Sequence, residues 1–403
     1  MSTARQTEDR DFDTDLIVFG GVGQGFLEYP QPHYAKMRAR RPLLRVPGAV
    51  QTTTRAALDS ALRDPESYSS GMDGAPLGND RPLIPLQIDP PDQLKWRKLL
   101  DPLFTPKKMA ALVPQITEQV NALIDRFVDR GSCDFTNEFA IPLPSTIFLR
   151  LFGLPLEELP TLLEFNERTQ RPPGARSAEE QLAARRANAQ DVYRYFAGVI
   201  SGRRAEPARD DLMSVLLTAE VDGRPLTDEE ITDISFLMIL AGLDTITDTL
   251  TCSFKFLAEH PDHRRRIVED PSVIPSAVEE LLRWETPVMT IIRVARRDGA
   301  IEGCPVRAGD AVLACLGSAN TDEAEFRQAQ LVDFDRNPNR HVAFGGGIHR
   351  CLGSHLARQE LRVALREWHR RIPEYRLPEG FVPRYSDGLR SVRNLTLLLG
   401  ASA

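Results

Sequence analysis

Apolar residues recur at helical spacing through most of the middle of the chain. The run KMAALVPQITEQVNALIDRFVDR, residues 108–130, reads as one amphipathic helix; shorter helical runs follow at 145–152 and 157–168, and a longer one at 187–200. RTQRPPGARSAEEQ, ahead of that last helix, reads as a flexible, arginine-rich connection. DDLMSVLLTAEVDGRPLTDEEI then predicts a helix, a short turn and a capping-box start at Thr227 with Glu230. The longest helical signal covers residues 228–259 and spans ~48 Å if unbroken. Its middle, FLMILAGLDTITDTL, is apolar on nearly every side, interrupted by Asp244, Thr245, Thr247 and Asp248. A helix apolar all round belongs at the centre of a core.

Period-two runs are few. LLRV and VQTTT around a Pro-Gly turn in 43–58 predict a hairpin, and short β-type pieces stand at 291–296, 301–307, 311–316 and 391–399. The fold class expected is mainly α with a minor β region. Residues 1–30 read as a partly exposed lead-in to one unit covering 1–403, and the glycine- and proline-rich stretch 65–92 as a long mobile loop. Glycines 20, 21, 23 and 25 do not make a nucleotide loop, because Phe26 stands where GxGxxG needs its last glycine. In QIDPPDQLKWRKLLDPLF, Asp89, Pro90 and Pro91 signal a helix start. Leu94, Leu99, Leu100 and Leu103 supply its apolar face, with Lys95, Arg97 and Lys98 elsewhere on it.

Composition changes this picture little. At 42% hydrophobic and 27% charged residues the chain is ordinary for a globular protein, and a net charge of -7 gives no support to nucleic-acid binding. Five cysteines, scattered and without CxxC pairs, suggest neither a disulfide framework nor a zinc site. The polar, acidic N-terminus lacks an apolar h-region, and no stretch reads as an uninterrupted membrane span, so no membrane anchor and a cytoplasmic location are expected.

The chemistry concentrates in HVAFGGGIHRCLGSHLAR, residues 341–358. Cys351 stands between a glycine-rich turn and a run of helical apolar spacing, which puts its sulfur near a helix N-terminus where backbone N–H groups favour a thiolate. Gly345 to Gly347 and Gly353 clear side chains from the approach to that sulfur. A thiolate in such a crevice suits one axial bond to a large planar cofactor. In the long helix, burying Asp244 and Thr245 costs on the order of several kcal/mol unless they are partnered. Two readings stand level: Thr245 back-bonds to the Ala241 carbonyl and Asp244 finds an arginine, or the pair does chemistry.

The spacing Phe344, Gly347, His349, Cys351, Gly353 resembles the haem-ligand loop of the cytochromes P450. Further fragments are similar to that family in the same order, from about residue 80 to the end. The resemblance implies a P450-like fold with the long central helix over the haem, and haem b held by Cys351. AGLDT is similar to the family's oxygen-activation motif, which assigns Ala241 to the haem face and Asp244 and Thr245 to a proton relay. Arg97, Arg293 and His341 match haem-propionate positions, while Gln93 stands where the family has a histidine, so the resemblance implies that a neutral amide replaces one charged propionate contact there; Phe344, Gly345, Gly347, His349 and Gly353 match the cofactor loop. Glu280 and Arg283, with Arg336, match a structural triad. Leu237, Val288, Met289 and Ile291 fall where substrate is bound, so an apolar substrate is implied, with O2 as co-substrate. Arg168, Arg171 or Arg176 could meet a substrate carboxylate, although each reads more simply as a solvated arginine. Arg350, Arg97, Lys95 and Lys98 offer a docking face for an acidic donor, the family's usual one being a ferredoxin with its ferredoxin reductase. Two other readings remain: a peroxide-driven haem-thiolate enzyme, which needs no proton relay, and a non-catalytic haem-binding protein.

Overall fold

The computed structural model describes residues 24–46, 49–74, 76–386 and 389–400. Helices Asp228–Gly242 and Asp244–Glu259 run through the centre, and Leu243 alone separates them. The expected single helix is therefore interrupted once. Thr245 Oγ1 donates to the Ala241 carbonyl at 2.9 Å, and Thr247 Oγ1 donates to those of Leu243 at 3.1 Å and Ala140 at 2.9 Å. Hydroxyls that back-bond to the preceding turn bend a helix at that point. Together the two halves are long and apolar enough to cross a membrane, a property the sequence reading did not assign. Yet 78% of their most apolar window is buried inside the protein, and packing accounts for the composition.

The strands form a five-stranded sheet in the order Leu43–Val46, Ala49–Thr52, Ala311–Cys315, Thr290–Ala295, Tyr68–Ser69. The first two are the expected hairpin, with Leu43 opposite Thr52 and Val46 opposite Ala49; its Pro-Gly turn lies outside the described residues. A smaller sheet joins Tyr375–Arg376, Thr396–Leu399 and Ser132–Asp134.

Several boundaries differ from the sequence reading, each for a local reason. The helix expected over 108–130 is two, Pro106–Ala110 and Val113–Ile124, because Pro114 can only start a new helix. The helix expected at 187–200 runs over Ala178–Arg204, started by a capping box of Ser177 and Glu180 inside the supposed connection. The capping box at Thr227 and Glu230 forms as read. In helix Asp92–Leu100 the buried face is Gln93, Trp96 and Leu100, whereas Leu94 is 50% exposed. The stretch 65–92 is pinned, with Leu83, Ile84, Asn79 and Gln87 buried. Of the lead-in, residues 1–23 lie outside the described residues. Gln24–Glu28 is a helix whose Leu27 is fully buried, its carbonyl taken by Arg390 Nε.

Helix Ile274–Glu285 carries Glu280 and Arg283, both fully buried. Arg283 donates to both oxygens of Glu280 at 2.8 and 2.7 Å, and Arg336 Nε reaches the same carboxylate at 3.0 Å. Arg283 also donates to the carbonyls of Asn320, Ala329 and Leu331, tying the segment before the cysteine loop to the helical body. Replacing Glu280 with Ala leaves two guanidinium groups sharing no carboxylate. The expected loss of about 3–5 kcal/mol is read from denaturant unfolding.

Candidate active site

Cys351 is held by backbone. Its N–H donates to the Phe344 carbonyl at 2.9 Å, closing the loop, and helix Ser354–Arg371 begins three residues later behind Gly353. Two glycines bend the loop at positive φ, Gly345 at 68° and Gly347 at 64°. Gly347 is doubly required: a Cβ there would lie 2.2 Å from the Leu62 carbonyl, at the end of helix Arg55–Arg63. The glycines thus do two jobs. Gly347 lets the loop press against a neighbouring helix, while Gly345 and Gly353 look onto open space, as a flat group beside the sulfur needs.

Cys351 is solvent-accessible yet closely ringed by protein. Burial raises its thiol pKa, and the Gly353 N–H with Arg350, Arg97 and Arg358 offsets this only in part. The helix terminus alone therefore does not produce the expected thiolate. A metal cation would, since a coordinating thiol gives up its proton. Among the described residues no three His, Cys, Asp or Glu side chains gather as a metal site, so a metal at Cys351 rests on one protein ligand.

Cations surround the loop unequally. Arg97 donates to the Arg350 carbonyl at 3.0 Å and pairs with Asp101 at 2.8 Å. Gln93, fully buried, donates to the Ile348 carbonyl at 2.7 Å while its Oε1 has no partner. Gln93 therefore holds the loop backbone. His341 is also committed elsewhere: Nε2 meets Glu279 at 3.0 Å and Nδ1 accepts the Ala343 N–H at 3.2 Å. Both of its ring nitrogens have partners within the protein. Glu279 also takes Arg358, whose guanidinium lies 4.4 Å over the Phe344 ring. Glu279 adjoins the recognised Glu280, and only the third dimension shows its role.

Arg293 and His349 stand apart. Arg293 is buried and, among the described residues, has no carboxylate within ion-pair reach; it donates to its neighbour's Ile292 carbonyl at 2.7 Å. Burial lowers its pKa to about 10, with Asp89 offsetting part of the effect. His349 has a buried Nε2 with no partner, and burial, Arg293 and Arg97 lower its pKa to about 4. An uncompensated guanidinium beside an unpartnered imidazole is a site for an anion.

On the long helix Ala241 is exposed although Phe236, Met238, Ile239, Leu240 and Leu243 around it are buried, so it faces interior space. Asp244 is buried and bonded to Arg171 Nη2 at 3.1 Å, and Arg171 in turn holds Glu167 at 2.6 Å. Arg171 is thus an ion-pair partner inside the protein, seventy-three residues from the acid it meets. Leu237, Val288, Met289 and Ile291 are half-buried at the edges of core clusters, Leu237 and Met289 on the main one, Val288 and Ile291 on the one built around Leu58, Leu62 and Leu316. A cleft of about 540 Å³ between the 65–92 stretch and helix Asp92–Leu100 touches none of these groups and is lined by charged Asp89, Lys95 and Arg296.

A family model described as cytochrome P450 matches residues 56–368. The chain belongs to the cytochrome P450 family. It is 37% identical over 352 residues to the steroid C26-monooxygenase of Mycolicibacterium smegmatis, covering 86% of each chain. It is 38% identical over 325 residues to the probable cytochrome P450 127A1 of Sinorhizobium fredii, covering 80% of this chain and 76% of that one. Its fold matches CYP109E1 of Bacillus megaterium in complex with testosterone with a TM-score of 0.87 at 28% identity, covering 94% and 100% of the two chains. As a cytochrome P450 it is an oxygen-incorporating oxidoreductase that binds haem b.

The residues present fit that cofactor. Cys351 would be its one protein ligand, open space lies beside Gly345 and Gly353, and Arg293 with His349 would hold a propionate carboxylate. Replacing Arg293 with Leu is expected to weaken haem retention several-fold, measured as haem transfer to apomyoglobin, while far-ultraviolet dichroism stays unchanged. Glu279 supplies a pH test. Burial raises its pKa, but His341 and Arg358 bring it down to about 2. A carboxyl held low stabilises the fold above its unfolded pKa and loses that contribution as pH falls. The stability gap between wild type and Glu279→Gln should be full above pH ~4.5 and close as pH approaches 2.

Proposed function

We propose that this cytochrome P450 inserts one oxygen atom of O2 into an apolar lipid-, terpenoid- or steroid-like molecule, with electrons from a separate ferredoxin and its reductase. One observation carries the reading: an acid and an alcohol, Asp244 and Thr245, at the one interruption of an apolar, buried helix. Haem b held by Cys351 would supply the oxygen activation, since a thiolate ligand favours O–O cleavage.

The chain's own residues supply protons and exclude water. The Thr245 hydroxyl, anchored on the Ala241 carbonyl, presents its oxygen lone pairs and can pass on a proton by turning its O–H away from that carbonyl. Asp244 is the adjoining carboxylate. While Arg171 holds it at 3.1 Å it is a paired anion and accepts rather than donates. Letting go of Arg171 frees it to carry a proton inward from the Glu167 side, which is 45% exposed. Leu237, Val288, Met289 and Ile291 offer aliphatic surface only, so the oxidised carbon belongs to an apolar part of the substrate. Relatives named for steroid C26 oxidation, and a neighbour solved with testosterone, support a bulky apolar class.

For the electron donor, Arg350, next to Cys351, and Lys98 are exposed, whereas Lys95 is drawn to Asp92 and Asp222. The basic face is therefore narrower than the sequence count suggests.

Optical titration with steroids, terpenes and long-chain fatty acids tests the substrate class. A low- to high-spin shift with one apolar class is expected; haem-loaded protein that shifts with none of them would falsify the substrate assignment. Thr245→Ala should keep electron consumption going while product falls several-fold and hydrogen peroxide rises. Unchanged coupling in that variant rules out the relay.

A further inference from the structure

We propose that Asp248 is an internal proton store for this site, a neutral carboxyl that hands its proton to Asp244 and later takes one back. The inference rests on the relay reading of Asp244 and Thr245. It starts from a residue that neither the P450 motif nor the ion-pair network uses.

Asp248 follows Asp244 by four residues on helix Asp244–Glu259, so the two side chains are neighbours on one face. Both are buried, yet their partners differ sharply. Asp244 has Arg171; Asp248, 1% exposed, has no salt bridge among the described residues. It has one side-chain contact, from Ser391, and its Oδ2 is buried without any hydrogen-bond partner. Every neighbouring element was placed to leave it so. Arg393, from the C-terminal segment, turns its Nη2 to Glu167 at 3.1 Å, and Arg171 is occupied by Asp244 and Glu167. Thr251 Oγ1 lies 3.5 Å from Ser391 Oγ, and Cys252 is a buried neutral thiol whose sulfur donates to the Arg390 carbonyl. Glu138, on the adjoining Thr136–Ala140 turn, is bound to Arg130.

An ionised carboxylate without a partner in such a place is strongly disfavoured, so the proton stays on. Burial first, and then the charge of Asp244, raise the Asp248 pKa to about 8. A structural role does not explain it: asparagine would fill the same volume with no ionisable group to keep neutral. What a protonated acid adds is a proton. Reduction of O2 in this site takes two protons, and Asp244 carries one at a time. In the exchange Arg171, which feels the charge of both carboxylates, turns from Asp244 to Asp248 as the O–H bond of Asp248 breaks and one forms on Asp244, so the pair keeps a single negative charge during that step. Once Asp244 has passed that proton on, the pair holds two negative charges beside Arg171 until Asp244 takes a proton from bulk solvent at the Arg171–Glu167 edge, and the reverse exchange then restores Asp248.

Asp248→Asn in the haem-loaded full chain tests this. Infrared spectra of the wild type should contain protonated-carboxyl C=O intensity at neutral pH from both Asp248 and the equally buried, unpartnered Glu360; the Asp248 part fades as pH rises through about 8 and is missing from the variant, which keeps that of Glu360. The linkage sign is opposite to that of Glu279. A carboxyl with a raised pKa makes the fold less stable as pH rises from its unfolded value, so the variant should gain on wild type over that range. Substrate should still shift the spin state, while the solvent isotope effect on O2 consumption and the peroxide fraction each rise several-fold. No loss of carboxyl intensity in the variant, or a variant with wild-type isotope effect and coupling, overturns the proposal. If Asp244→Asn and Thr245→Ala uncouple while Asp248→Asn does not, the store alone is wrong. If none of the three uncouples, the relay itself has failed and the store with it.

Discussion

Cys351 must be held at one point by a loop that leaves no side chain beside the sulfur, and the surrounding structure is shaped by that requirement. With side chains excluded from one face, the anchoring falls to backbone: the Cys351 N–H on the Phe344 carbonyl, Gly347 packed against the Leu62 carbonyl, and side-chain donors from helix Asp92–Leu100 on the carbonyls of Ile348 and Arg350. Backbone hydrogen bonds suit this task because they leave the loop no rotamers to explore. Glycine at 345 and 347 is the condition for it, since both residues adopt the left-handed region.

The buried charges divide into two groups, and the division separates scaffold from site. Arg283 and Arg336 share Glu280, Arg358 meets Glu279, and Arg203 meets Asp211 at 2.8 Å; each cation has a carboxylate of the chain's own. Such pairs orient elements rather than add much net stability, because desolvation cancels most of the attraction. Arg293 and His349 break the rule, and so, with the opposite sign, does Asp248. Glu360, 1% exposed on helix Ser354–Arg371 with an unpartnered Oε2, shares that condition away from the site, so what sets Arg293, His349 and Asp248 apart is their place next to the cysteine loop and Asp244.

The central helix shows the same tension in backbone form. Its apolar composition drives it into the core, but hydroxyls at Thr245 and Thr247 compete for main-chain carbonyls and interrupt it at Leu243. Both contacts of the structural reading, the Thr245 back-bond and an arginine on Asp244, are present. They are compatible with chemistry, because a relay needs its groups held in place before it needs them to move.

Contiguous features were readable from residues alone. The cysteine loop, the AGLDT stretch, the Glu280–Arg283 spacing and the Thr227 capping box each lie within a few positions, where turn chemistry and helical period determine which side chains meet. What joins distant positions was not. Arg171 on Asp244, His341 on Glu279, the inward turn of Gln93 to Ile348, and the isolation of Asp248 depend on which helices pack together, and no local spacing encodes that. Gln93 and Leu94 show the physical reason most plainly. Hydropathy buries the leucine, yet a carbonyl without a donor in the cysteine loop makes burying the glutamine the better arrangement, and only the folded chain brings that carbonyl within reach.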